Sequence, residues 1–188
     1  MAQMAAFLML SLDGYYDDAT KPWELDWHNV DQEFNEFAIK QLDSSDCLVF
    51  GRLTYEGMAR YWPSATAIEN DPQVASRMNQ AEKVVVSRRL AEVQPQWSNT
   101  RLVNRDVVQA LSSLKQEKKR DILVLGSGEL TASLMGSGVL DELRIMVNPI
   151  VLGAGKPLFH GGKRTALTLR DSRRFRSGNV LLTYAPVR

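Results

Sequence analysis

Short apolar runs alternate along this chain with segments of helical period, and this alternation is the feature that most limits its fold. Runs of strand length lie at residues 5–11, 47–50, 83–87, 101–103, 122–125, 142–147, 167–171 and 180–185. Strands separated by helices are typical of a largely parallel sheet whose crossover connections pack on its faces. The alternation therefore predicts an α/β protein.

Three segments between these runs have the pattern of amphipathic helices. Residues 31–42 place their apolar side chains at the spacing of one buried face. Residues 72–80 open with Pro72 directly after Asp71, as an N-cap followed by a first helical residue would. Residues 106–118 begin with aspartate and end with lysines, which suits the helix dipole. Each helix is expected to pack one face against the sheet.

The pattern changes after residue 140, because no convincing helix separates residues 142–147 from the two closing strands. Such strands pair antiparallel, and residues 173–178 are expected to form the loop of a terminal hairpin. The prediction is a three-layer, mixed and mostly parallel sheet with flanking helices and a C-terminal antiparallel hairpin. The long irregular stretches 23–29 and 153–164 are candidate walls of a site.

The length and composition fit a single globular domain over residues 1–188. Hydrophobic residues make up 44% and charged residues 24% of the chain, as in ordinary soluble proteins. The longest purely apolar run, residues 5–10, is too short to span a bilayer, and the first cation after the amino terminus, Lys21, follows it. We therefore expect a cytoplasmic protein without membrane contact.

Charge is unevenly distributed, although the net charge is only +1. Residues 1–50 hold ten acidic and two basic side chains, so an anionic ligand would meet the later part of the chain. No aromatic residues are interleaved with the basic run at residues 115–120, which resembles a solvated helix end. We expect no nucleic-acid partner.

Cysteine and histidine are scarce. Cys47 precedes an apolar triplet and is expected to be a buried, inert thiol. His28 and His160 are the two histidines, and with one cysteine they do not form any of the usual zinc sites. No metal is expected.

The segment Gly126-Ser127-Gly128 follows an apolar strand and opens a helix. Glycines at such a turn permit positive φ and close approach of a phosphate to the backbone. The dinucleotide-binding fingerprint would place another glycine at position 131, where the chain has threonine. An ordinary strand-to-helix turn is the alternative interpretation.

The segment beginning Gly51-Arg52-Leu53-Thr54 also joins a strand to a helix. Arg52 can form forked hydrogen bonds to phosphate oxygens, and Thr54 can donate another. The alternative is that Arg52 forms an ordinary surface salt bridge.

A third strand ends in Ser87-Arg88-Arg89, a hydroxyl with two cations that would suit a terminal 2′-phosphate. A solvated strand end is the alternative here. Taken together, the three strand ends favour a phosphorylated dinucleotide, because open α/β sheets bind ligands at such ends.

A series of motifs occurs in order along nearly the whole chain, from about residue 4 to residue 185. They are Ser11-Leu12-Asp13-Gly14-Tyr15, Phe50-Gly51-Arg52-Leu53-Thr54-Tyr55-Glu56, Val86-Ser87-Arg88, Gly126-Ser127-Gly128, and Asp141-Glu142-Leu143 with Pro149-Ile150-Val151-Leu152-Gly153. The series resembles the dihydrofolate reductase-like superfamily. More narrowly, it is similar to the reductase domain of riboflavin-biosynthesis deaminase-reductases and their stand-alone relatives.

The resemblance implies an NADPH-dependent reductase that transfers hydride to a small heterocyclic substrate such as 5-amino-6-(5-phosphoribosylamino)uracil. It also implies a homodimer and, since the chain begins almost at its first strand, a protein without the deaminase domain. Carried over by position, the expected cofactor contacts are Gly51, Arg52, Thr54, Ser87, Arg88, Gly126, Ser127 and Gly128.

The substrate side departs from the family pattern. Leu125-Gly126-Ser127 stands where the riboflavin enzymes usually have Glu-Gly-Gly, and Asn35 stands where dihydrofolate reductases have a carboxylate. The expected substrate contacts are Asp26, Trp27, Asp31, Asn35 and Lys156. No catalytic residue is assigned, and two alternatives stay open: a non-catalytic dinucleotide-binding or regulatory protein, and a dihydrofolate reductase.

Overall fold

The computed structural model describes residues 1–22, 24–90, 92–160 and 164–187, which contain ten strands and six helices. In chain order they are β1 (Met4–Leu10), β2 (Tyr15–Asp18), α1 (Gln32–Asp43), β3 (Ser45–Gly51), α2 (Arg52–Tyr61), α3 (Ala65–Asn70), α4 (Pro72–Gln80), β4 (Glu82–Val86), β5 (Thr100–Val103), α5 (Val107–Glu117), β6 (Asp121–Leu125), α6 (Gly128–Leu134), β7 (Glu142–Val147), β8 (Gly155–Pro157), β9 (Leu167–Arg174) and β10 (Val180–Pro186).

Eight strands form one sheet in the order β5-β4-β3-β6-β1-β7-β10-β9. The six strands from β5 to β7 run parallel to one another. β10 pairs antiparallel with β7, and β9 pairs antiparallel with β10. The mixed, mostly parallel sheet and its closing antiparallel hairpin are thereby confirmed.

The sheet is buried on both faces, which gives three layers. Along β1, Met4 and Leu8 pack in one apolar cluster while Ala5 and Phe7 pack in another, because successive side chains point to opposite faces. The first cluster also holds the buried side chains of α5 and α6, and the second those of α2 and α4 together with the aromatic face of α1. A strand covered on both faces is apolar throughout.

The closing hairpin turns later than the sequence predicted. Arg173 and Arg174 belong to β9, and the loop comprises residues 175–179. Arg173 is held in the strand by an ion pair with Glu33 (2.8 Å) and by stacking on the ring of Phe175 (4.3 Å). The predicted loop at 173–178 was wrong because β9 is an edge strand whose side chains are mostly exposed, so its charged residues look like a turn.

A second, two-stranded sheet of β2 and β8 was not predicted, and neither was α3. β8 is only three residues long and contains glycine and proline, so it has no strand periodicity of its own. β8 lies within the predicted irregular loop 153–164, and its partner β2 lies shortly after β1. Trp23 and residues 161–163, which belong to the two predicted loops, lie outside the described residues.

Because the six central strands are parallel, their ends define two edges of the sheet. We call the edge at Leu10, Gly51, Val86, Leu125 and Val147 the carboxyl edge, and the opposite one the amino edge. Among the described helices, none is long and apolar enough to cross a membrane.

Candidate functional site

The turns after β3 and β6 are bonded to each other at the carboxyl edge. The backbone N–H of Gly51 donates to Oγ of Ser127 (2.6 Å), and the backbone N–H of Ser127 donates to Oγ1 of Thr54 (3.1 Å). β3 and β6 are neighbours in the sheet, so these two turns meet where their strands end. Two of the predicted cofactor motifs therefore form one connected structure.

The glycine turn after β6 has left-handed backbone at two successive residues. Gly126 has φ +57° and Ser127 has φ +55°. A Cβ at Gly126 would also lie 3.2 Å from Cγ2 of Thr54, so both conformation and space favour glycine there. The turn is sharp enough to start α6 directly at the carboxyl edge.

The third residue of this turn, Gly128, leaves room for the ring of Tyr16. A Cβ at Gly128 would lie 2.6 Å from Cδ1 and 2.8 Å from Cζ of Tyr16. Tyr16 is on β2 and is half-buried. Sequence reasoning missed this residue, because no local pattern indicates that the chain after β1 folds back over the start of α6.

Arg52 forms an ion pair with Glu56 one helical turn later (2.9 Å), the alternative raised from the sequence. α2 has Gly51 as its N-cap and therefore has no side-chain hydrogen bond to its first-turn N–H groups. Uncapped N–H groups and a nearby guanidinium make this helix start attractive to an anion.

Ser87 and Arg88 follow β4, the neighbour of β3 on the side away from β6. Ser87 is buried, and its Oγ accepts from the backbone N–H of Arg89 (3.3 Å). The side chains of Arg88 and Arg89 are exposed and form no ion pair with any residue that the structure describes. The three predicted cofactor motifs thus end three adjacent strands, β4, β3 and β6.

Two of the carboxylates expected on the substrate side have other partners. Asp26 is exposed and accepts a hydrogen bond from Nζ of Lys21 (2.9 Å). Asp31 is the N-cap of α1, and its carboxylate accepts from the backbone N–H of Phe34 (2.8 Å). Both side chains therefore have a local role in the segment that leads into the helix.

Asn35 and Lys156 are also engaged with neighbouring side chains. The amide of Asn35 donates to the carboxylate of Asp71 (3.1 Å). Lys156 forms an ion pair with the buried Asp17 (2.8 Å), and this hydrogen bond raises the pKa of Lys156. The structure does not bring these two residues into contact with each other or with the glycine turn.

Trp27 is buried in a segment that is fixed to the sheet through Asn29. The backbone N–H of Asn29 donates to Oδ1 of Asn148 (3.0 Å), and the backbone carbonyl oxygen of Asn29 accepts from the side-chain amide of Asn179 (2.9 Å). Burial lowers the pKa of the adjacent His28 to about 4, so its ring is neutral at physiological pH. The part of this segment that holds Trp27 and His28 is therefore packed and uncharged.

Cys47 is buried, as expected, and burial raises the pKa of its thiol to about 12. A thiol with such a pKa has almost no thiolate at neutral pH. Within the described part of the chain, no three His, Cys, Asp or Glu side chains are grouped so that they could hold a metal ion.

Comparison with known proteins gives the chain its family. The RibD C-terminal domain model matches residues 3–181. YyaP of Bacillus subtilis (strain 168) is 29% identical over 180 residues, covering 94% of this chain and 91% of that protein.

Two solved structures share the fold. A putative riboflavin biosynthesis protein from Shewanella sp. PV-4 is 25% identical with a TM-score of 0.74, and all of both chains is covered. Dihydrofolate reductase from Enterococcus faecalis, complexed with NADP(H) and RAB-propyl, is 14% identical with a TM-score of 0.57, covering 98% of this chain and 96% of that one. Both the predicted fold and the predicted resemblance are confirmed: the chain belongs to the RibD C-terminal domain family.

Proposed function

We propose that this protein is an NADPH-dependent reductase whose dinucleotide lies along the carboxyl edge, across the ends of β4, β3 and β6. One observation carries the proposal: the three motifs with glycine, cation or hydroxyl end three strands that are adjacent in the sheet. Open α/β sheets bind ligands at this edge. Membership of a family with reductase neighbours supports the same conclusion.

The donor set at this edge fits an anionic dinucleotide. Ser87 and Arg88 would hold the 2′-phosphate at the end of β4, since Arg88 has no ion pair within the described residues. The uncapped start of α2, together with Arg52 and Thr54, would hold the adjoining phosphates. When bound, the reduced nicotinamide supplies a hydride.

A small, flat heterocycle is the proposed substrate class, with the phosphorylated compound 5-amino-6-(5-phosphoribosylamino)uracil as the specific candidate. Asn35 occupies the position where folate enzymes have a carboxylate, and its amide is bonded to Asp71. An amide can bind a ring edge but cannot deliver a proton. We therefore expect dihydrofolate turnover to be absent or very slow.

A nucleotide titration followed by a substrate panel tests the proposal. Quenching of tryptophan fluorescence should give an NADPH affinity more than tenfold above that for NADH, because charge-assisted hydrogen bonds reach the 2′-phosphate. NADPH oxidation is then measured with the ribosylamino-pyrimidine phosphate and with dihydrofolate. Equal affinity for the two nucleotides would contradict the 2′-phosphate site. Tight NADPH binding with no turnover would indicate the non-catalytic alternative.

The homodimer stays a prediction of the resemblance, and the cytoplasmic location stays a prediction from the composition of the sequence. β9 is an edge strand with most of its side chains exposed, and one side of its backbone has no partner strand in the sheet. Sedimentation velocity of the purified protein measures the oligomeric state directly.

A further inference from the structure

Tyr16 lies where the ends of two neighbouring strands diverge. β1 and β6 are adjacent and parallel, and β1 ends at Leu10 shortly before the strand that carries Tyr16. The ring of Tyr16 packs on Gly128, the first residue of α6 directly after β6. Its side chain therefore covers the gap between the carboxyl ends of β1 and β6.

The strand order reverses one strand away from this gap, between β3 and β6, because the chain leaves β3 toward β4 and leaves β6 toward β7. From β1 the chain runs to β3, β4 and β5 on one side, and later to β7 on the other. Ligands of open α/β sheets bind in the crevice at such a reversal. β4 and β1 are three strand spacings apart, about 14 Å, so a dinucleotide anchored at Ser87 would extend its reactive ring toward Tyr16.

The hydroxyl of Tyr16 is available for a ligand. It makes no hydrogen bond to any residue that the structure describes, and it is not among the buried unpaired atoms, so it remains open to the crevice. The charged groups around it are Glu129 on α6, Lys156 on β8 and Asp17 on its own strand. Burial, aided by Glu129, raises the pKa of Tyr16, so the phenol holds its proton at neutral pH.

The two carboxylates that the sequence placed on the substrate side are engaged elsewhere. Asp31 caps α1, and Asp26 lies at the surface beside Lys21. Asn35 has no acidic proton to give. A hydride acceptor becomes electrophilic when the atom beside the accepting carbon is protonated, so a reductase needs a donor at this place.

We propose that Tyr16 is this donor and that its hydroxyl faces the reactive ring across the crevice; the proposal rests on the reductase function proposed above. In the step, the substrate carbon gains a hydride from reduced nicotinamide and its double bond to nitrogen becomes single. The nitrogen takes the proton of the Tyr16 hydroxyl, and the phenolate regains a proton from solvent. Lys156 stabilises the transient phenolate by its charge.

The first test compares Tyr16→Phe with Tyr15→Phe. Tyr15 precedes Tyr16 but packs against Gly155 of β8, so it is a matched control that removes one hydroxyl from the same strand. We expect Tyr16→Phe to lower the single-turnover rate of NADPH oxidation by 10²- to 10⁴-fold, a typical contribution of general acid catalysis. Its NADPH affinity should stay within about twofold of that of Tyr15→Phe. Equal rates for the two variants would overturn the proposal.

The second test needs no turnover. Tyrosinate absorbance is titrated with and without saturating NADP⁺, whose nicotinamide carries a positive charge. A cation beside the ring should lower the pKa of one tyrosine by about one unit or more, and Tyr16→Phe should abolish that shift while Tyr15→Phe retains it.

The two tests distinguish failure of the proposed reductase function from failure of the proposed role of Tyr16. If tryptophan fluorescence shows that no nucleotide binds, the proposed function fails and the role of Tyr16 fails with it. If nucleotide binds but the tyrosine titration is unchanged, the role of Tyr16 is overturned while the reductase proposal stands.

Discussion

The two edges of the central sheet differ in whether their cationic side chains have carboxylate partners. At the amino edge, cations meet carboxylates: Lys115 binds Asp141 (2.5 Å), Arg120 binds Asp46 (2.7 Å), and Lys118 binds Glu82. At the carboxyl edge, Arg88 and Arg89 have no ion pair with any described residue. The same parallel strands thus begin among ion-paired charges and end where Arg88 and Arg89 have no such partner, although Arg52 at that edge pairs with Glu56.

This difference in ion pairing follows from the separate roles of the two edges, one structural and the other proposed to bind the nucleotide. Charges at the amino edge hold helix ends to strand starts, as where the carboxylate of Asp141 also accepts from the backbone N–H of Met4 (2.8 Å). At the carboxyl edge, Arg88 and Arg89 are available to bind a ligand, whereas Arg52 is ion-paired with Glu56. Substitutions that break ion pairs at the amino edge should therefore change stability and leave nucleotide binding intact, and those that remove the unpaired cations of the carboxyl edge should do the reverse.

Breaking the Lys115–Asp141 ion pair should lower the unfolding free energy more than any other substitution proposed below. Both side chains are largely buried, and Lys115 also donates to the carbonyl oxygen of Val139 (3.1 Å). Asp141→Ala leaves a buried cation without its carboxylate, which typically costs about 3–5 kcal/mol. Chemical denaturation measures the loss in unfolding free energy.

The control for Asp141→Ala is Glu117→Ala, which removes a carboxylate from an exposed pair with Arg101 (3.4 Å) at the same edge. Exposed pairs contribute less than about 1 kcal/mol. NADPH affinity should be unchanged in both folded variants. Similar losses of stability would mean that burial does not distinguish the two pairs.

Removing a cation from the carboxyl edge should weaken nucleotide binding and leave the unfolding free energy unchanged. Arg88→Ala should weaken NADPH about tenfold or more and spare NADH, because a charge-assisted hydrogen bond to the 2′-phosphate is lost. Arg60→Ala removes an exposed cation from the last turn of α2 and serves as the control. Fluorescence titration in moderate salt measures both nucleotides. An equal loss for NADPH and NADH would place Arg88 outside the 2′-phosphate site.

The contrast between the edges also explains what could be predicted from sequence. Gly51, Ser87 and Gly126 directly follow apolar strands, and parallel strands end at one edge, so local patterns sufficed to place them together. Tyr16 was missed because its position depends on the pairing of β2 with β8, two short segments far apart in the chain. Long-range pairing of this kind leaves no periodic signal.

The residues expected on the substrate side stay predictions, and their local partners could not all be read from the sequence. The sequence identified Asp31 as an acid near the predicted helix and Lys156 as a cation in a glycine-rich loop. In the structure Asp31 caps α1 and Lys156 pairs with Asp17. An aspartate immediately before a helix is a strong N-cap candidate, a signal that could have reassigned Asp31. The partner of Lys156 could not be known without the small sheet.

Glycine substitutions test whether the turn at the carboxyl edge requires a left-handed backbone. Gly126→Ala forces a side chain into φ +57° and toward Thr54, which should cost about 1–2 kcal/mol of unfolding free energy. Gly57→Ala is the control, because this helical glycine has open space around its Cβ and alanine there should stabilise by about 0.5–1 kcal/mol. Thermal and chemical unfolding measure both. A gain for Gly126→Ala would show that the turn relaxes out of its left-handed conformation.

The smallest predicted effect concerns Lys83, an amino-edge cation that has no carboxylate partner among the described residues. Its Nζ donates to the carbonyl oxygens of Ala81 (2.6 Å), Ser98 (3.1 Å) and Asn79 (3.2 Å) and lies 4.5 Å from the centre of the Trp97 ring. Burial lowers the pKa of Lys83 to about 8. The carbonyl oxygens act in the opposite direction, since they stabilise the charged form.

A folded-state pKa below the unfolded value means that the unfolded chain binds more protons above pH 8, so stability rises with pH there. The unfolding free energy of the wild type, measured against Lys83→Met by urea denaturation, should therefore increase by at most about 1 kcal/mol between about pH 8 and pH 9. Below about pH 7 Lys83 is protonated in both the folded and the unfolded protein. The difference in unfolding free energy between the wild type and Lys83→Met should therefore not change with pH there. A flat difference across the whole range would show that the three carbonyl oxygens keep the pKa of Lys83 at its ordinary value. In that case backbone carbonyls would replace at Lys83 the carboxylates that neutralise the other amino-edge cations.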